Sequence, residues 1–214
     1  MTYSKRLLFI LPIFALNLSA DSILSSWFTE YSGQYARIYE TAADESALNS
    51  VTTWSHPNNG SGQALPTYAG VHEIAYTETN VYIRTSGLGF HVMGPWYLNE
   101  ERTNLFPNYP SNTSAIFRFP RDPGAPPISK TATGNGIIGY FVDGIGMFDS
   151  RDAFSYSNSN AGDARPNSNF TGDGIWNRDA YVNESVTFDS AHAHQAGINH
   201  HYHANPPALR HLIG

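Results

Sequence analysis

Two closely spaced histidine pairs, late in the 214-residue chain, are the residues best suited to chemistry. His192 and His194 form one His-x-His pair, and His201 and His203 form another. In an extended segment, residues two apart point to the same face, so each pair can present two imidazoles on one side. A turn within residues 195–199 would fold the pairs against each other and bring up to four imidazoles around one Zn²⁺ or Cu²⁺ ion. The sequence therefore predicts a metal site built from these four histidines.

Three further side chains lie where they could hold the imidazole rings in position. Asp189 precedes the first histidine pair, and Tyr202 lies between the two histidines of the second pair. Asp143 belongs to an Asp-Gly dipeptide within the most apolar internal stretch of the chain. A group that hydrogen-bonds the second ring nitrogen fixes the tautomer and the direction of a metal-binding histidine. We therefore expect Asp189, Tyr202 and Asp143 to support the metal ligands.

Two other interpretations of the histidine run remain open on the sequence alone. The imidazoles could form a hydrogen-bonded cluster in the core, with each ring nitrogen satisfied by a neighbour. They could also lie in a solvated loop, because a histidine-rich run is a compositional signal and does not specify a ligand geometry. The chain has no cysteine and no helical His-Glu-x-x-His motif that would favour the metal interpretation over these two.

Charge and cysteine content exclude several classes of function. The chain has 12 Lys and Arg residues against 18 Asp and Glu residues. Binding to a phosphate backbone needs a basic face, so this balance argues against nucleic acid as a partner. The lack of cysteine excludes thiolate catalysis, zinc–thiolate sites and a blue-copper site. Any metal must be held by histidine, carboxylate, tyrosine, carbonyl or water.

Residues 1–20 have the layout of a secretory signal peptide. Lys5 and Arg6 form a positive start, residues 7–16 are an apolar run, and Ala20 is a small residue at a plausible cleavage point. The apolar run is shorter than the roughly 20 residues that span a bilayer, which leaves an uncleaved anchor as the lesser alternative. Cleavage would remove two bases and no acid, leaving 10 basic and 18 acidic residues and a formal charge of −8. We expect an exported protein, periplasmic or extracellular, with no membrane-spanning segment in the mature chain.

The remaining composition favours strands joined by long polar loops. Aromatic residues make up 14% of the chain and charged residues only 14%, while Gly and Pro are abundant. Aromatic and β-branched residues favour strands, and Gly, Pro, Asn and Asp favour turns. We predict a mainly β fold, either β-sandwich-like or a mixed antiparallel sheet domain, with little helix. Residues 21–69 are expected to be an N-terminal extension or the first strands, and residues 70–214 to form one β-rich domain.

Individual segments indicate where the strands lie. Asp143-Gly144 lies between two apolar runs and predicts a central hairpin. The one fair helical stretch is 40–49, with Thr41 as its cap and Asp44 three residues later. The other expected strands are 71–76, 81–85, 116–119 and 184–189, the last of which leads into His192. After the hairpin, Asp149 and Asp152 could face the histidines or serve as turn residues.

Several separated blocks, in the same order, resemble the YHYH-domain family, a group of exported, mainly bacterial proteins named for a Tyr-His-Tyr-His run. The blocks are Met93-Gly-Pro-Trp96, Val142-Asp-Gly-Ile-Gly-Met-Phe148, Gly172-Asp-Gly-Ile-Trp176, Thr187-Phe-Asp189, Ala193-His-Gln195 and Tyr202-His-Ala-Asn-Pro206. The similarity covers residues 70–214. It implies an exported β-rich domain but supplies no reaction, and family members commonly continue further, so we expect the domain to extend beyond Gly214.

The family signature is altered at its first position. His200 stands where the family has tyrosine, followed by His201, Tyr202 and His203. If the run is a strand, His201 and His203 share one face, and His200 joins Tyr202 on the other. The replacement is therefore expected to change the second face and to leave a site built on His201 and His203 intact.

The favoured function is an exported domain with a histidine-based Cu or Zn site, and a non-catalytic role is favoured over an enzyme. No complete nucleophile or acid/base set is visible, and the chain lacks a Gly-x-Ser-x-Gly elbow, a phosphate loop and a dinucleotide fingerprint. One alternative is a metal-dependent hydrolase with Asp189 or Asp143 as the base. Another is a non-catalytic module that binds polysaccharide or a surface through Trp96, Tyr97 and Trp176.

Overall fold

The histidine-rich run lies in a four-stranded sheet of the protein, whose structure is a computed structural model. The structure describes residues 26–27, 33–134, 136–164, 172–173 and 176–213. The leader expected at residues 1–20 lies outside the described residues. In chain order the elements are β1 (Arg37–Ile38), α1 (Ala42–Ala47), β2 (Trp54–Ser55), β3 (Gly62–Gln63), β4 (Val71–Tyr76), β5 (Asn80–Thr85), β6 (Val92–Met93), β7 (Ala115–Pro120), β8 (Ile137–Tyr140), β9 (Gly146–Phe148), β10 (Arg151–Ser157), β11 (Gly162–Ala164), β12 (Asn177–Asp179), α2 (Ala180–Glu184), β13 (Ala193–Ala196), β14 (Asn199–Tyr202) and α3 (Pro207–Ile213).

The sheet that carries the histidines has the strand order β13-β14-β9-β8. Strands β13 and β14 are antiparallel and place His194 directly opposite His201. Strand β14 then runs parallel to β9, with His201 paired to Gly146. Strands β8 and β9 form the hairpin that the Asp-Gly dipeptide predicts, and Gly144 takes a φ of 78° in its turn, a conformation that glycine adopts without a Cβ penalty. The hairpin of β8 and β9, which comes from the most apolar internal stretch, thus supports the two histidine strands.

Within the described residues, two three-stranded sheets and two short strand pairs make up the other β-structure. One sheet has the antiparallel order β4-β5-β7, and the other has the antiparallel order β11-β10-β12. Strand β5 alternates strictly, so that Val81 and Ile83 are buried while the residues between them are partly exposed. The described helices are short, and α1 begins with the expected capping box between Thr41 and Asp44. The mainly β prediction is confirmed.

An aromatic core lies behind the strand that carries His194. Trp54, Phe90, Trp96 and Tyr109 are all buried in one apolar cluster. The cluster contains residues from both sides of position 70, since β1 pairs in parallel with β6. Trp96 Nε1 donates to the carbonyl of Ala193 at 3.0 Å, which fastens this core to the start of β13.

The prediction of a strand at residues 184–189 is wrong. Glu184 is the last residue of α2, and residues 185–187 form a 3₁₀ turn. The Asp179 side chain caps the helix by accepting the N–H of Val182 at 3.0 Å. At the other end, the Thr187 hydroxyl donates to the carbonyl of Glu184 at 2.6 Å. These two side-chain bonds satisfy the helix ends and override the strand preference of the β-branched residues Val186 and Thr187.

Within the described ranges, none of the helices combines the length and the apolar character that crossing a bilayer requires.

Candidate metal centre

Three histidines from β13 and β14 converge on one point, and we call them, together with Glu184, the open cluster. One ring nitrogen each from His194, His201 and His203 lies within 4.8 Å of the other two. His194 and His201 face each other across the antiparallel strand pair, and His203 follows directly after β14 on the same side as His201. The expected pairing of the two histidine strands therefore brings three of the four predicted ligands together.

Backbone carbonyls set the tautomers of His201 and His203. His201 Nδ1 lies 3.0 Å from the carbonyl oxygen of Asn199, and His203 Nδ1 lies 3.2 Å from that of Asp149. A carbonyl can only accept, so both Nδ1 atoms must carry the proton. The Nε2 atom of each neutral ring is then left with a lone pair. These two Nε2 atoms lie 3.1 Å apart, so two acceptors face each other.

A threonine hydroxyl sets the tautomer of His194 in the same way. His194 Nδ1 lies 2.7 Å from Thr187 Oγ1. Because Thr187 donates its own proton to the carbonyl of Glu184, its oxygen must accept from the imidazole. His194 Nε2 therefore also presents a lone pair to the centre. All three rings are held in the form that binds a metal through Nε2.

Glu184 adds a fourth inward-facing acceptor to the open cluster. Its Oε2 lies 3.3 Å from His194 Nε2 and 3.2 Å from His203 Nε2. Three lone pairs and a carboxylate repel one another unless a positive charge lies among them. Burial alone would raise the pKa of Glu184, whereas hydrogen bonds donated by protonated His194 and His203 would lower it far below its usual range, so positive charge at this centre keeps the carboxyl ionised. Protons on the rings or a metal ion must supply the balancing charge.

Burial makes a proton on the central ring unfavourable. His201 is 1% exposed, and its ring stacks on Phe148 with centroids 3.6 Å apart. Burial, followed by the neighbouring His194, lowers the pKa of His201 well below its usual range. The ring is therefore neutral near pH 7, which is the state that coordinates a metal.

The spacing of the inward atoms fits a coordination shell. The measured separations of 3.1, 3.2 and 3.3 Å exceed the roughly 2.8 Å of charge-assisted hydrogen bonds. Ligands at about 2.0–2.1 Å from a tetrahedral Zn²⁺ ion lie about 3.3 Å from one another. The donor set of three imidazoles and one carboxylate also suits Cu²⁺. The residues present therefore fit a transition-metal ion.

His56 shows how a satisfied histidine differs from these three. Its Nε2 lies 2.8 Å from the carbonyl of Phe106, and its Nδ1 accepts the N–H of Asn58 at 3.2 Å. One donor and one acceptor are matched, as expected for a buried structural imidazole. In the open cluster a hydrogen-bonded interpretation accounts for the Nδ1 atoms, but it leaves three Nε2 atoms facing acceptors.

Behind Glu184 lies a second carboxyl group. Asp152 is 2% exposed and hydrogen-bonds to Glu184, and Arg178 Nε donates to its Oδ2 at 2.7 Å. Burial and the bond to Glu184 raise the pKa of Asp152, against the effect of Arg178. Of the two carboxyls, Asp152 is therefore the weaker acid and Glu184 the stronger. The sequence left open whether Asp152 faces the histidines, and the structure places it one contact behind them.

The open cluster borders a cavity of about 360 Å³. The cavity is lined by the three histidines and Glu184 together with Phe148 and Arg151. Arg151 donates from Nε to Asp149 Oδ1 at 2.7 Å and from Nη2 to the carbonyl of Thr133. A small molecule in this cavity would contact the imidazoles and a guanidinium group at once.

His192 does not join the open cluster. Strand β13 begins at Ala193, so the alternation that would align His192 with His194 does not reach it. His192 has a φ of 61° in the turn that precedes the strand, and its backbone N–H bonds to the carbonyl of Asp189 at 3.0 Å. Its ring instead packs edge-on against Tyr181, 5.4 Å away.

The three supporting residues expected from the sequence lie on the opposite face of β14. Tyr202 donates its hydroxyl to Asp143 Oδ2 at 3.0 Å. Asp189 lies with two imidazoles on that face, and we call His91, Asp189 and His200 the buried cluster. As expected for a strand, His200 shares a face with Tyr202, while His201 points the other way. Within the part of the chain that the structure describes, none of these three residues hydrogen-bonds to an imidazole of the open cluster.

Glu184 and His91 are the site residues that the sequence analysis missed. Glu184 was assigned to a strand, and the available signal was Asp179, a helix cap followed by five residues without Gly or Pro. His91 lies about a hundred residues before the histidine run, and no spacing connects it to that run.

Aromatic residues proposed for polysaccharide binding do not form an exposed row. Trp96 is 0% exposed and Tyr97 is 9% exposed, whereas Trp176 is 72% exposed. Trp96 lies in the aromatic core, so its role is packing.

The comparison with known protein families agrees with the resemblance seen in the sequence. Residues 116–213 match the family described as YHYH protein. The matched segment starts later than residue 70 but includes the hairpin, α2 and both histidine strands, and therefore the whole open cluster. No curated protein and no solved structure matches the chain. Over residues 116–213 this chain is similar to the YHYH protein family.

Proposed function

We propose that the protein is an exported metal-binding domain in which His194, His201 and His203 coordinate one Cu²⁺ or Zn²⁺ ion through Nε2. Glu184 supplies a carboxylate oxygen beside two of these nitrogens. Export rests on the leader-like residues 1–20. The imidazoles, being intermediate donors, suit both ions, and the absence of cysteine removes thiolate ligands.

One observation carries the proposal: each ring is tied at Nδ1 to an oxygen, so three Nε2 lone pairs converge beside a carboxylate. Such outward bonds are what orient metal-binding histidines in proteins. A site held in this way needs little rearrangement to accept an ion.

The direct test is metal content and affinity in the variant His201→Ala/His203→Ala. The chain should be purified with a tag that contains no histidine and without chelators, and its metal measured by mass spectrometry. Titration with Zn²⁺ or Cu²⁺ against a coloured competing chelator then gives the affinity. The double variant should lose one equivalent of metal, with affinity at that site falling by more than about 100-fold, because even residues behind the ligands contribute about 10–100-fold.

The matched control is His192→Asn, which removes an imidazole from the same run but outside the open cluster. Asparagine tolerates the positive φ of this position, so the turn should be retained. This variant should bind metal like the parent. Unchanged metal content in the double variant, or an equal loss in His192→Asn, would contradict the proposed site.

A metal-dependent hydrolase is the second candidate, and the cavity with its carboxyl pair favours it. A bound Zn²⁺ ion would supply Lewis-acid chemistry at the open cluster. Glu184 lines the cavity beside two of the imidazoles and could take a proton from an attacking water, with Asp152 hydrogen-bonded behind it. Arg151 lines the same cavity and could hold an anionic part of a substrate.

Hydrolysis of 4-nitrophenyl acetate by the Zn²⁺-loaded protein tests this candidate. The variant Glu184→Gln, assayed with enough Zn²⁺ to fill the three-histidine site, should lose at least about 100-fold in rate, because a positioned general base contributes about 10²–10⁴-fold. If the parent is no faster than His201→Ala/His203→Ala, the metal site is not hydrolytic towards this ester and the binding role alone stands.

A further inference from the structure

The buried cluster gathers three potential ligands that the proposed function does not use. His91 lies just before β6, Asp189 lies between α2 and β13, and His200 lies in β14. One ligand atom from each lies within 4.8 Å of the other two. The side chains of Asp189 and His200 are 0% exposed, and that of His91 is 9% exposed. The cluster is therefore a separate group on the other face of β14 from the open cluster.

His200 is a buried imidazole with unpaired ring nitrogens. Among the described residues neither its Nδ1 nor its Nε2 has a hydrogen-bond partner, although the residue is only 3% exposed. Its Nε2 lies 3.5 Å from Asp189 Oδ2, which is too long for a good hydrogen bond. Leaving a polar ring atom unpaired in the interior costs about 1–3 kcal/mol. An unpaired buried atom in a native protein therefore calls for an explanation, such as a bound water or ion.

Asp189 is held as an ionised carboxylate that points at both rings. Its Oδ1 accepts the backbone N–H groups of Ala191 at 2.9 Å and Ala193 at 3.2 Å. Its Oδ2 accepts the N–H of Gly94 at 3.0 Å. Three backbone donors favour the charged form and fix the direction of the carboxylate. Oδ2 is thereby aimed between the two imidazoles.

The distances in the buried cluster match those between ligands of one ion. Asp189 Oδ2 lies 3.3 Å from His91 Nε2 and 3.5 Å from His200 Nε2. Ligands on a tetrahedral ion with bonds of about 2.0–2.1 Å are about 3.3 Å apart. A proton on His91 would balance the charge of Asp189 but would leave His200 without a partner. A divalent ion would engage Oδ2 and both Nε2 atoms together.

We propose that His91 Nε2, His200 Nε2 and Asp189 Oδ2 form a second transition-metal site, distinct from the open cluster and enclosed in the protein. Two imidazoles and one carboxylate suit Zn²⁺ in particular, because this ion takes mixed nitrogen and oxygen ligands and can complete a tetrahedral shell with a water molecule. Strand β14 then carries one ligand of each site at consecutive positions, His200 and His201.

The test is the Zn²⁺ stoichiometry of the intact chain by equilibrium dialysis, with metal and protein both measured. The parent should bind two equivalents. Each of His200→Gln and His91→Gln should bind one, because glutamine keeps the side-chain bulk but is a poor Zn²⁺ ligand. His201→Ala/His203→Ala should also bind one, and His192→Asn should bind two. Circular dichroism of every variant checks that the strands remain.

The two proposals fail in different ways in this experiment. One equivalent in the parent that is lost in His201→Ala/His203→Ala and kept in His200→Gln overturns the second site alone. One equivalent that is lost in His200→Gln and kept in the double alanine variant supports the second site and overturns the open one. If His200→Gln does not fold, His91→Gln gives the answer, and two equivalents retained by folded His91→Gln overturns the proposal.

Discussion

Strand β14 separates two clusters that are similar in composition but different in enclosure. The open cluster contains three imidazoles and a carboxylate, Glu184, whose side chain is 21% exposed and borders a cavity. The buried cluster contains two imidazoles and a carboxylate, Asp189, whose side chain is 0% exposed. Because successive residues of a strand point to opposite faces, one dipeptide, His200-His201, contributes to both. A single strand can therefore place one site in reach of solvent and another inside the scaffold.

The two carboxylates show the same contrast in their hydrogen bonds. Asp189 accepts three backbone N–H groups from two separate segments, so it joins the loop before β13 to the aromatic core. Glu184 contacts imidazoles and the carboxyl of Asp152, with its charge directed at the cavity. Asp189 therefore stabilises the fold in addition to any ion that it binds, whereas Glu184 contributes to the site.

Removal of metal should produce the largest effect on stability. An ion present at about 1,000 times its Kd stabilises the native state by about 4 kcal/mol, which corresponds to about 10 °C in Tm for a chain of this size. Treatment with a strong chelator should therefore lower the Tm of the parent by about that amount at each loaded site. Scanning calorimetry of loaded and stripped protein measures it. No shift in Tm after complete metal removal would contradict metal binding at both clusters.

When a chelator is added to the loaded protein, the rate of metal loss should differ between the two clusters. The ion at the open cluster borders the cavity, so a chelator should remove it quickly. The ion at the buried cluster can leave only when the protein opens locally, which is slower. A coloured chelator should record two phases, with the fast phase absent in His201→Ala/His203→Ala. A single phase of metal loss from a parent protein that holds two ions would contradict the proposed difference in enclosure between the clusters.

Replacing the two carboxylates should affect stability unequally in the metal-free protein. Asp189→Asn leaves one oxygen where two accept three N–H groups, so it should lower the free energy of unfolding by about 3 kcal/mol. Glu184→Gln removes a charge at a partly exposed position whose partners are side chains, so it should lower the same quantity by less than Asp189→Asn does. Urea unfolding of both stripped variants tests this, and equal losses would contradict a scaffold role for Asp189.

The sequence predicted the frame of the open cluster because its elements follow local rules. The Asp143-Gly144 turn, the alternation of β5 and the His-x-His spacing each depend on neighbouring residues alone. The antiparallel pairing of β13 and β14 then follows from the short turn between them. Three of the four predicted ligands consequently lie together.

The parts that could not be predicted depend on strand ends and on distant contacts. His192 lies one residue before β13, and this single-residue boundary decides whether it can join His194. Glu184 reaches the site because the chain makes a helix end where its β-branched residues indicate a strand. His91 approaches Asp189 from 98 positions away in the chain, through tertiary packing that has no local signal.

Acid should lower the free energy of unfolding by protonating Asp149, which lies beside the open cluster. The backbone carbonyl of Asp149 accepts a hydrogen bond from His203. The hydrogen bond from Arg151 lowers the pKa of Asp149 from 3.8 to about 2, against the effect of burial. An acid with a depressed pKa stabilises the fold above about pH 3.8, and this contribution is lost as the pH falls towards 2. It is at most about 2 kcal/mol, because Arg151 is partly exposed and solvent screens the pair.

Urea unfolding of the parent and Asp149→Asn between pH 5 and pH 2 measures this contribution, and the variant should lose it. Asp143, on the other side of β14, should show the opposite sign. Burial raises the pKa of Asp143, so its contribution is present at low pH and is lost as the pH rises through the raised pKa. A fall in stability on acidification that is the same in Asp149→Asn as in the parent would contradict the role of Asp149.

The smallest effect is expected at the open cluster when His200 is replaced by tyrosine, which restores the Tyr-His-Tyr-His run of the family. His200 and His201 point to opposite faces, and the backbone pairing of β14 with β13 and β9 holds His201 in place. His200→Tyr should therefore change the affinity of the open cluster for Zn²⁺ by less than about 3-fold, which is under 1 kcal/mol. The same variant should abolish binding at the buried cluster. Competition titration separates the two, since the parent shows two binding steps and the variant only the one that His201→Ala/His203→Ala removes. A loss of both steps in a folded His200→Tyr protein would mean that the two faces of β14 act as one site.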